Sequence, residues 1–111
     1  EELTIKLEKN IDILNYVSNH NSMRPKLVIG FAAETNNLEK NAINKLKEKN
    51  CDMIIANDVS NKKIGFNSDF NEVTIFYKNN KKETLFKKKK SLISEEIVDR
   101  VNIQLNWWLK F

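Results

Sequence analysis

The stretch KLVIGFAAET, residues 26–35, decides the fold of this chain. Residues 26–31 form a largely apolar run with β-branched side chains, which is typical of a strand covered on both faces. We therefore predict a central parallel strand there, with residues 30–35 at the point where the strand passes to a helix. Ligands of open α/β sheets bind at such carboxyl ends of strands.

Residues 35–37 (TNN) follow this strand and supply candidate helix caps. Glu39 stands three residues after Asn36, as in a capping box, and the predicted helix runs over residues 37–49. A second buried strand is predicted at residues 53–56. A strand, a helix and a strand with short connections indicate a parallel βαβ unit with a right-handed crossover.

The remaining segments add elements on both sides of this unit. Upstream, the alternation at residues 3–7 predicts a strand, and Asn10 can cap a following helix. Downstream, residues 73–77 and 84–86 with a turn at residues 79–80 predict a β-hairpin. Apolar residues then recur every four positions, which predicts a terminal helix over residues 91–109; they are Ile93, Ile97, Val101 and Leu105. The fold class is therefore α/β, a Rossmann-like three-layer domain with a mainly parallel sheet, an added C-terminal β-hairpin and a terminal helix.

Composition places the chain among folded domains with a single core. It has 111 residues, 41% hydrophobic and 31% charged, and a net charge of +4 that favours anionic partners. Cys51 is the only cysteine, which excludes an internal disulfide and indicates a cytoplasmic location, with Cys51 as a packed residue. No apolar run approaches the roughly 20 residues needed to cross a membrane, and no signal peptide is visible.

Few residues suit catalysis or metal binding. The two glycines, Gly30 and Gly65, exclude a GxGxxG or P-loop site. His20 is the only histidine, so neither a histidine-based metal site nor a Ser-His-Asp triad can form. Asp52, Asp58 and Asp69 could bind a divalent ion together with nucleotide phosphates, but scattered surface acids are commoner than ligands, and we assign no metal ligand.

Two features favour alternatives to an enzyme. Residues 87–90 (KKKK) form a basic segment that would suit a nucleic-acid-binding module, but no aromatic residues are interleaved and a solvated loop is the expected structure. Trp107, Trp108 and Phe111 crowd the last helical turn, and two adjacent tryptophans cannot face one core. A partner subunit, an upstream segment or solvent would then cover one of them, so a dimerisation module is the other alternative.

Lys45 and Lys49 fall at the margin of the buried stripe when the helix over residues 37–49 is projected at about 100° per residue, whereas Lys40 and Lys47 lie on the far side. Like charges four residues apart repel, so an opposing anion such as a polyphosphate would explain the arrangement. Alternatively, the aliphatic stems lie along the apolar surface and the ammonium groups reach water. The projection leaves both interpretations open.

Several motifs in order resemble bacterial phosphopantothenoylcysteine synthetases. They are residues 10–14 (NIDIL), 30–35 (GFAAET), Lys45-Leu46 with Lys49, 52–59 (DMIIANDV) and 65–73 (GFNSDFNEV). The resemblance implies a cytoplasmic ligase that uses CTP and Mg²⁺ to activate 4'-phosphopantothenate as an acyl-cytidylate, which L-cysteine then attacks. It also implies a homodimer with neither a nucleic-acid nor a membrane partner.

The same resemblance assigns nucleotide-binding roles to a set of residues in this chain: Ile11, Asp12, Ile13, Leu14, Phe31, Lys45 and Lys49. Ile11 stands where the family usually has proline, so we expect a looser start to that helix. The family's catalytic groups lie upstream of residue 1, and its FMN belongs to a separate decarboxylase domain. Residues 1–111 are thus expected to be the C-terminal portion of one synthetase domain, inactive by itself.

Overall fold

A computed structural model describes residues 24–59 and 69–109, with side chains as far as residue 106. The elements are β1 Ile29–Glu34, α1 Leu38–Glu48, β2 Met53–Asp58, β3 Phe70–Tyr77, β4 Lys82–Lys89 and α2 Lys90–Leu109. The predicted strand at residues 3–7, the helix capped by Asn10 and the side chains of Trp107, Trp108 and Phe111 lie outside the described residues.

The predicted βαβ unit is present, with α1 connecting two parallel strands. Ile29 pairs with Met53 and Glu34 pairs with Asp58 along β1 and β2. The strand is displaced from the predicted position, because β1 begins at Ile29 and extends as far as Glu34, so the passage to the helix falls only at the end of residues 30–35. Val28 is instead tied to the start of β2, since its N–H donates to Asp52 Oδ2 at 2.8 Å and its carbonyl accepts from the Asp52 N–H at 2.8 Å.

The predicted capping box at the start of α1 is wrong. Asn37 occupies the N-cap in the left-handed region with φ 46°, and no side chain caps the helix there. The C-terminus of α1 is closed by the backbone, because the Cys51 N–H bonds to the Leu46 carbonyl at 3.0 Å and the Asn50 N–H bonds to the Lys47 carbonyl at 3.2 Å. Asn50 is left-handed with φ 49°, so this end is a Schellman motif with asparagine where glycine is usual.

The predicted β-hairpin is confirmed. β3 pairs antiparallel with both β2 and β4, and the sheet order is β1-β2-β3-β4. Asn80, with φ 68°, closes the turn between β3 and β4. Among the described strands, one pairing is parallel and two are antiparallel, so this part of the sheet is mixed rather than mainly parallel.

The predicted loop at residues 87–90 is also wrong. Lys87, Lys88 and Lys89 belong to β4, and Lys90 begins α2. Lys88 pairs with Asn71 beyond an irregularity in the ladder between Asn71 and Val73. Because Lys88 and Lys89 are consecutive residues of the sheet ladder, their side chains point to opposite faces instead of forming one charged loop.

The two helices cover opposite faces of the sheet, which gives the three layers expected. On the face covered by α1, the α1 face, the buried residues are Val28, Ala32, Ala42, Leu46, Cys51, Ile54, Ala56 and Phe76. On the face covered by α2, the α2 face, they are Met53, Ile55, Val73, Ile75, Leu85 and Ile93. Neither helix in the described part of the chain is long and apolar enough to cross a membrane.

Candidate functional site

Two carboxylates mark the end of the parallel strands. Glu34 and Asp58 are the last residues of β1 and β2 and stand opposite each other in register. Glu34 is buried, and its Oε1 accepts no hydrogen bond from the described residues. Lys45 Nζ lies 2.9 Å from this oxygen, so ion-pair attraction from α1 compensates for the burial of the carboxylate.

The helix projection of the lysines is confirmed by their exposure. Lys45 and Lys49 are half-buried, whereas Lys40 and Lys47 are exposed. An opposing anion was one explanation for the inward cations, and for Lys45 the chain itself supplies that anion as Glu34. The sequence contained a signal for this partner, because a charged residue within a small apolar strand must be compensated when that strand is covered.

Lys49 lies near the start of β2, at the opposite end of the sheet from the carboxyl end of β1. It is the C-cap of α1, and its carbonyl is 3.7 Å from the Sγ atom of Cys51, just before β2 begins. Because α1 runs antiparallel to β1 and β2, its last residue is near the amino-terminal ends of these strands. The long side chain of Lys45, one turn earlier, is the one that meets Glu34 at the carboxyl end.

Phe31 is on the α2 face, the opposite side of β1 from Lys45. Its side chain is 74% exposed, and it lines a groove of about 450 Å³ over the carboxyl ends of β1 and β2. The described residues therefore do not bring Phe31, Lys45 and Lys49 onto one surface. Residues 11–14, which include Ile11, Asp12, Ile13 and Leu14, lie outside the described residues, and the nucleotide-binding role of the whole set stays a prediction.

The groove contains polar residues to which the sequence analysis gave no nucleotide-binding role. Asn57, Asn71, Lys90 and Ser94 contribute to its lining beside apolar residues of both layers. Asn71 and Lys90 come together only through the hairpin, since β3 brings its first residues back to the carboxyl end of β2. No local spacing in the sequence predicts this meeting.

The scattered acidic residues have separate roles. Asp52 accepts from Arg24 Nη2 at 3.1 Å as well as from the Val28 N–H, and thus fixes the segment before β1. Asp69 is exposed, and its carbonyl accepts from the Lys90 N–H at 2.9 Å. Among the described residues, no group of three or more histidine, cysteine, aspartate or glutamate side chains is arranged to hold a metal ion.

Cys51 is a packed core residue, as predicted. It is fully buried and unpaired. Burial, followed by the nearby charge of Asp52, raises the pKa of its thiol above the ordinary value. A protonated, inaccessible thiol is a poor nucleophile, so Cys51 contributes packing rather than chemistry.

Part of the basic segment is neutralised within the chain. Lys88 Nζ is 2.7 Å from Glu96 Oε2 on α2. Lys87 Nζ lies 5.8 Å from the ring centroid of Phe70, within cation–π range. Because Lys87 and Lys88 contact residues of the hairpin and α2, this arrangement does not favour the nucleic-acid-binding alternative.

Residues 1–104 match the family described as the DNA/pantothenate metabolism flavoprotein C-terminal domain. The chain belongs to this family. The coenzyme A biosynthesis bifunctional protein CoaBC of Escherichia coli K12 is 46% identical over 103 residues, which cover 90% of this chain and 25% of that protein. The protein of the same name from Haemophilus influenzae is 44% identical over 103 residues, again 90% and 25%. The chain thus spans a quarter of the length of these relatives.

Solved structures of the family have the same fold. A crystal structure of the C-terminal domain of CoaBC superimposes with a TM-score of 0.70 at 34% identity, over 89% of this chain and 44% of that one. A DNA/pantothenate metabolism flavoprotein from Streptococcus pneumoniae gives a TM-score of 0.63 at 23% identity, a likeness of fold alone. These matches confirm the resemblance to the synthetase family that the motifs carried.

Proposed function

We propose that the chain is part of a CTP-dependent phosphopantothenate–cysteine ligase of coenzyme A biosynthesis. In this reaction CTP converts the carboxylate of 4'-phosphopantothenate to an acyl-cytidylate with release of pyrophosphate, and the amine of L-cysteine displaces CMP. Family membership over residues 1–104 supports this assignment. The observation that carries it in the structure is the Lys45 ammonium group fixed at the carboxyl end of β1.

Lys45 suits a role in holding phosphates because its position is set before any ligand arrives. Glu34 is its partner at 2.9 Å, and an ammonium group has three donors, so others stay available for phosphate oxygens. A cation fixed in this way offsets the charge that grows on the leaving pyrophosphate and needs little reorganisation. In this proposal Glu34 is a positioning residue that acts through Lys45.

Mg²⁺ fits the same strand end as a companion of the triphosphate. Asp58 is exposed at the end of β2, beside the Glu34–Lys45 pair, and Mg²⁺ is commonly held by one or two carboxylates together with substrate phosphates. Bound there, the ion would screen the phosphate charge from these carboxylates. The proposal assigns no further metal ligand in this chain, and FMN belongs to a separate decarboxylase domain.

The proposal includes a cytoplasmic homodimer. Its support is the exposure of large apolar side chains on the second half of the chain, where Phe86 is 70%, Val98 58% and Ile103 53% exposed. Covering large apolar side chains of this kind in a second subunit is favourable. A role in dimerisation accompanies the ligase assignment and does not compete with it.

Thermal unfolding with CTP and Mg²⁺ tests the nucleotide site. We expect CTP to raise the melting temperature, because a ligand at about 100 times its Kd stabilises the folded state by about 2.7 kcal/mol. The double variant Lys45→Ala/Lys49→Ala should lose the shift. The matched control is Lys26→Ala/Lys40→Ala, which removes the same charge from exposed positions and should retain it. An equal shift in both double variants, or none in the unaltered chain at millimolar CTP, would contradict the assignment.

A further inference from the structure

A second pocket lies on the α1 face, between α1 and the turn of the β-hairpin. This hairpin pocket has a volume of about 310 Å³, at the lower end of the size of small-molecule sites. Three apolar residues, Ile43, Leu46 and Phe76, contribute its apolar lining. Leu46 and Phe76 are core residues, so this part of the pocket is the uncovered edge of the α1-face cluster.

The rest of the lining carries strong positive charge. Lys47 comes from α1, Lys78 and Lys81 from the turn, and Lys82 from the start of β4. Glu39 is the only carboxylate among the lining residues. Four cations against one anion give the pocket a net charge of +3, which favours an anion with more than one negative charge.

Lys78 and Lys82 have side-chain partners. Lys82 Nζ lies 3.1 Å from Glu39 Oε1, and Lys78 Nζ donates to Asn50 Oδ1 at 3.2 Å. Within the described residues, Lys47 and Lys81 make no side-chain ion pair or hydrogen bond. The ammonium groups of Lys47 and Lys81 can therefore both bind a ligand in the hairpin pocket.

The hairpin pocket is separate from the strand end that holds Lys45. Lys45 is directed to Glu34 on β1, whereas Lys47 lines the side of α1 that faces β3 and β4. Successive odd positions of α1 thus serve opposite flanks of the helix, because residues two apart differ by about 200° around its axis. An anion on one flank does not occupy the other.

We propose that the hairpin pocket binds a small organic phosphate. The apolar part of the ligand lies against Ile43 and Phe76, and the phosphate lies between Lys47 and Lys81. The chemistry of the lining supports this choice, because an apolar floor with cations at the rim matches a ligand with one apolar and one anionic end. Phosphate is favoured over a monocarboxylate because it carries up to two charges, which meet the net charge of the pocket.

Phenyl phosphate is a suitable probe, and amide shifts in ¹H–¹⁵N NMR spectra of the chain report where it binds. We expect saturable shifts in the hairpin turn at residues 78–82 and in the second half of α1. Inorganic phosphate, without the ring, and phenol, without the phosphate, should each bind at least about tenfold more weakly, a loss of about 1.4 kcal/mol. Equal affinity for either simpler probe would overturn the proposal.

Three variants separate this site from general electrostatic attraction. Lys47→Ala/Lys81→Ala should weaken phenyl phosphate binding at least about tenfold, whereas Lys26→Ala/Lys40→Ala should leave it unchanged despite the same loss of charge. Glu39→Gln should strengthen binding, because it removes the only carboxylate of the lining and releases Lys82. A purely structural role for Glu39 would not increase affinity.

The outcome is independent of the nucleotide site. Lys45→Ala/Lys49→Ala should abolish the CTP-dependent thermal shift and leave phenyl phosphate binding at the hairpin pocket intact. If this variant instead abolished binding of the probe, the ligand would belong to the strand end and the separate pocket would be refuted. Shifts confined to residues outside the hairpin and α1 would refute it equally.

Discussion

The two faces of the sheet are built from side chains of different size. The α1 face contains Ala32, Ala42 and Ala56, so the helix approaches the strands closely and its flanking lysines reach the level of the sheet. The α2 face contains larger residues, among them Met53 and Ile75. Close approach on one side creates charged margins suited to anions, whereas the larger side chains on the other side provide packing.

Polar contacts on the two faces follow the same division. On the α2 face, Arg100 binds Glu83 in a bidentate manner, with Nε at 3.2 Å from both oxygens and Nη2 at 2.8 Å from Oε2, and the Tyr77 hydroxyl donates to Oε1 at 3.1 Å. These groups satisfy one another. On the α1 face, Lys47 and Lys81 retain donors without such partners in the described part of the chain. Apart from the groove lined by Phe31, the polar groups on the α2 face thus pair within the fold, whereas the α1 face keeps lysine donors available for ligands.

The largest expected effect is truncation of the α2-face core. Ile75 is fully buried on β3, and Ile75→Ala should lower the free energy of unfolding by about 2–5 kcal/mol through lost burial and a residual cavity. Urea denaturation followed by circular dichroism measures this. Glu95→Ala, at an exposed position of α2 that has no role in the proposed dimer contact, is the control and should change stability by less than about 0.5 kcal/mol. A small effect at Ile75 would contradict the division of the faces.

Overfilling the α1 face is expected to cost less. Ala42 is fully buried where α1 meets the sheet, and Ala42→Leu should destabilise the fold by about 1–3 kcal/mol because the helix must move outward. The same displacement should weaken CTP-dependent stabilisation, since Lys45 moves with α1. Asn44→Leu introduces the same side chain at an exposed position of α1 and should leave both measurements nearly unchanged. A neutral Ala42→Leu would show that the space between α1 and the sheet can take a larger side chain, which would contradict close packing of α1.

The smallest effect is expected at the polar contacts of the α2 face. The hydrogen bonds from Arg100 hold the pKa of Glu83 below its ordinary value. A lowered pKa in the folded state means that the carboxylate stabilises the fold above the pKa of the unfolded chain, and that this stability is lost as the pH falls through the folded pKa. Glu83→Gln should cost about 0.5–1 kcal/mol near neutral pH and flatten the acid limb of the stability profile.

Tyr77 reports on the same contacts at alkaline pH. Burial, reinforced by the charge of Glu83 and the hydrogen bond to it, raises the pKa of Tyr77 to about 12. Stability from the protonated phenol is present below the pKa of an unfolded tyrosine and is lost as the pH rises toward this value. In Glu83→Gln the Tyr77 pKa should fall but stay above its ordinary value, as ultraviolet difference titration would show. An unchanged pKa would mean that burial alone raises it.

The sequence predicts the elements of this fold better than their boundaries. The spacing of apolar residues in the sequence identified α1, the hairpin and α2, because each element keeps one pattern of buried and exposed residues along its length. Residues 26–28 looked like the start of a strand since hydropathy does not reveal that Asp52 binds the backbone of Val28. Likewise the asparagine caps gave the position of α1, although Asn37 acts through its backbone conformation rather than its side chain.

The candidate site was predicted only in part, for a similar reason. The helical period is sufficient to place Lys45 at a buried margin, because the residue and its neighbours are on one element. The pairing with Glu34 depends on where β1 ends, and the alternation of the strand then directs Phe31 to the other face. The hairpin pocket depends on contacts between residues far apart in the sequence, such as Glu39 and Lys82, and no local pattern contains them.

Asparagine is the residue at all three non-glycine left-handed positions in the described part of the chain: Asn37, Asn50 and Asn80. Glycine could adopt the same dihedral angles, but it would also widen the range of conformations open to the denatured polypeptide. Asparagine tolerates this region and leaves that range narrower. A chain with only two glycines therefore makes its left-handed turns with a smaller loss of conformational entropy on folding. Two of the three turns, at Asn37 and Asn50, begin and end α1.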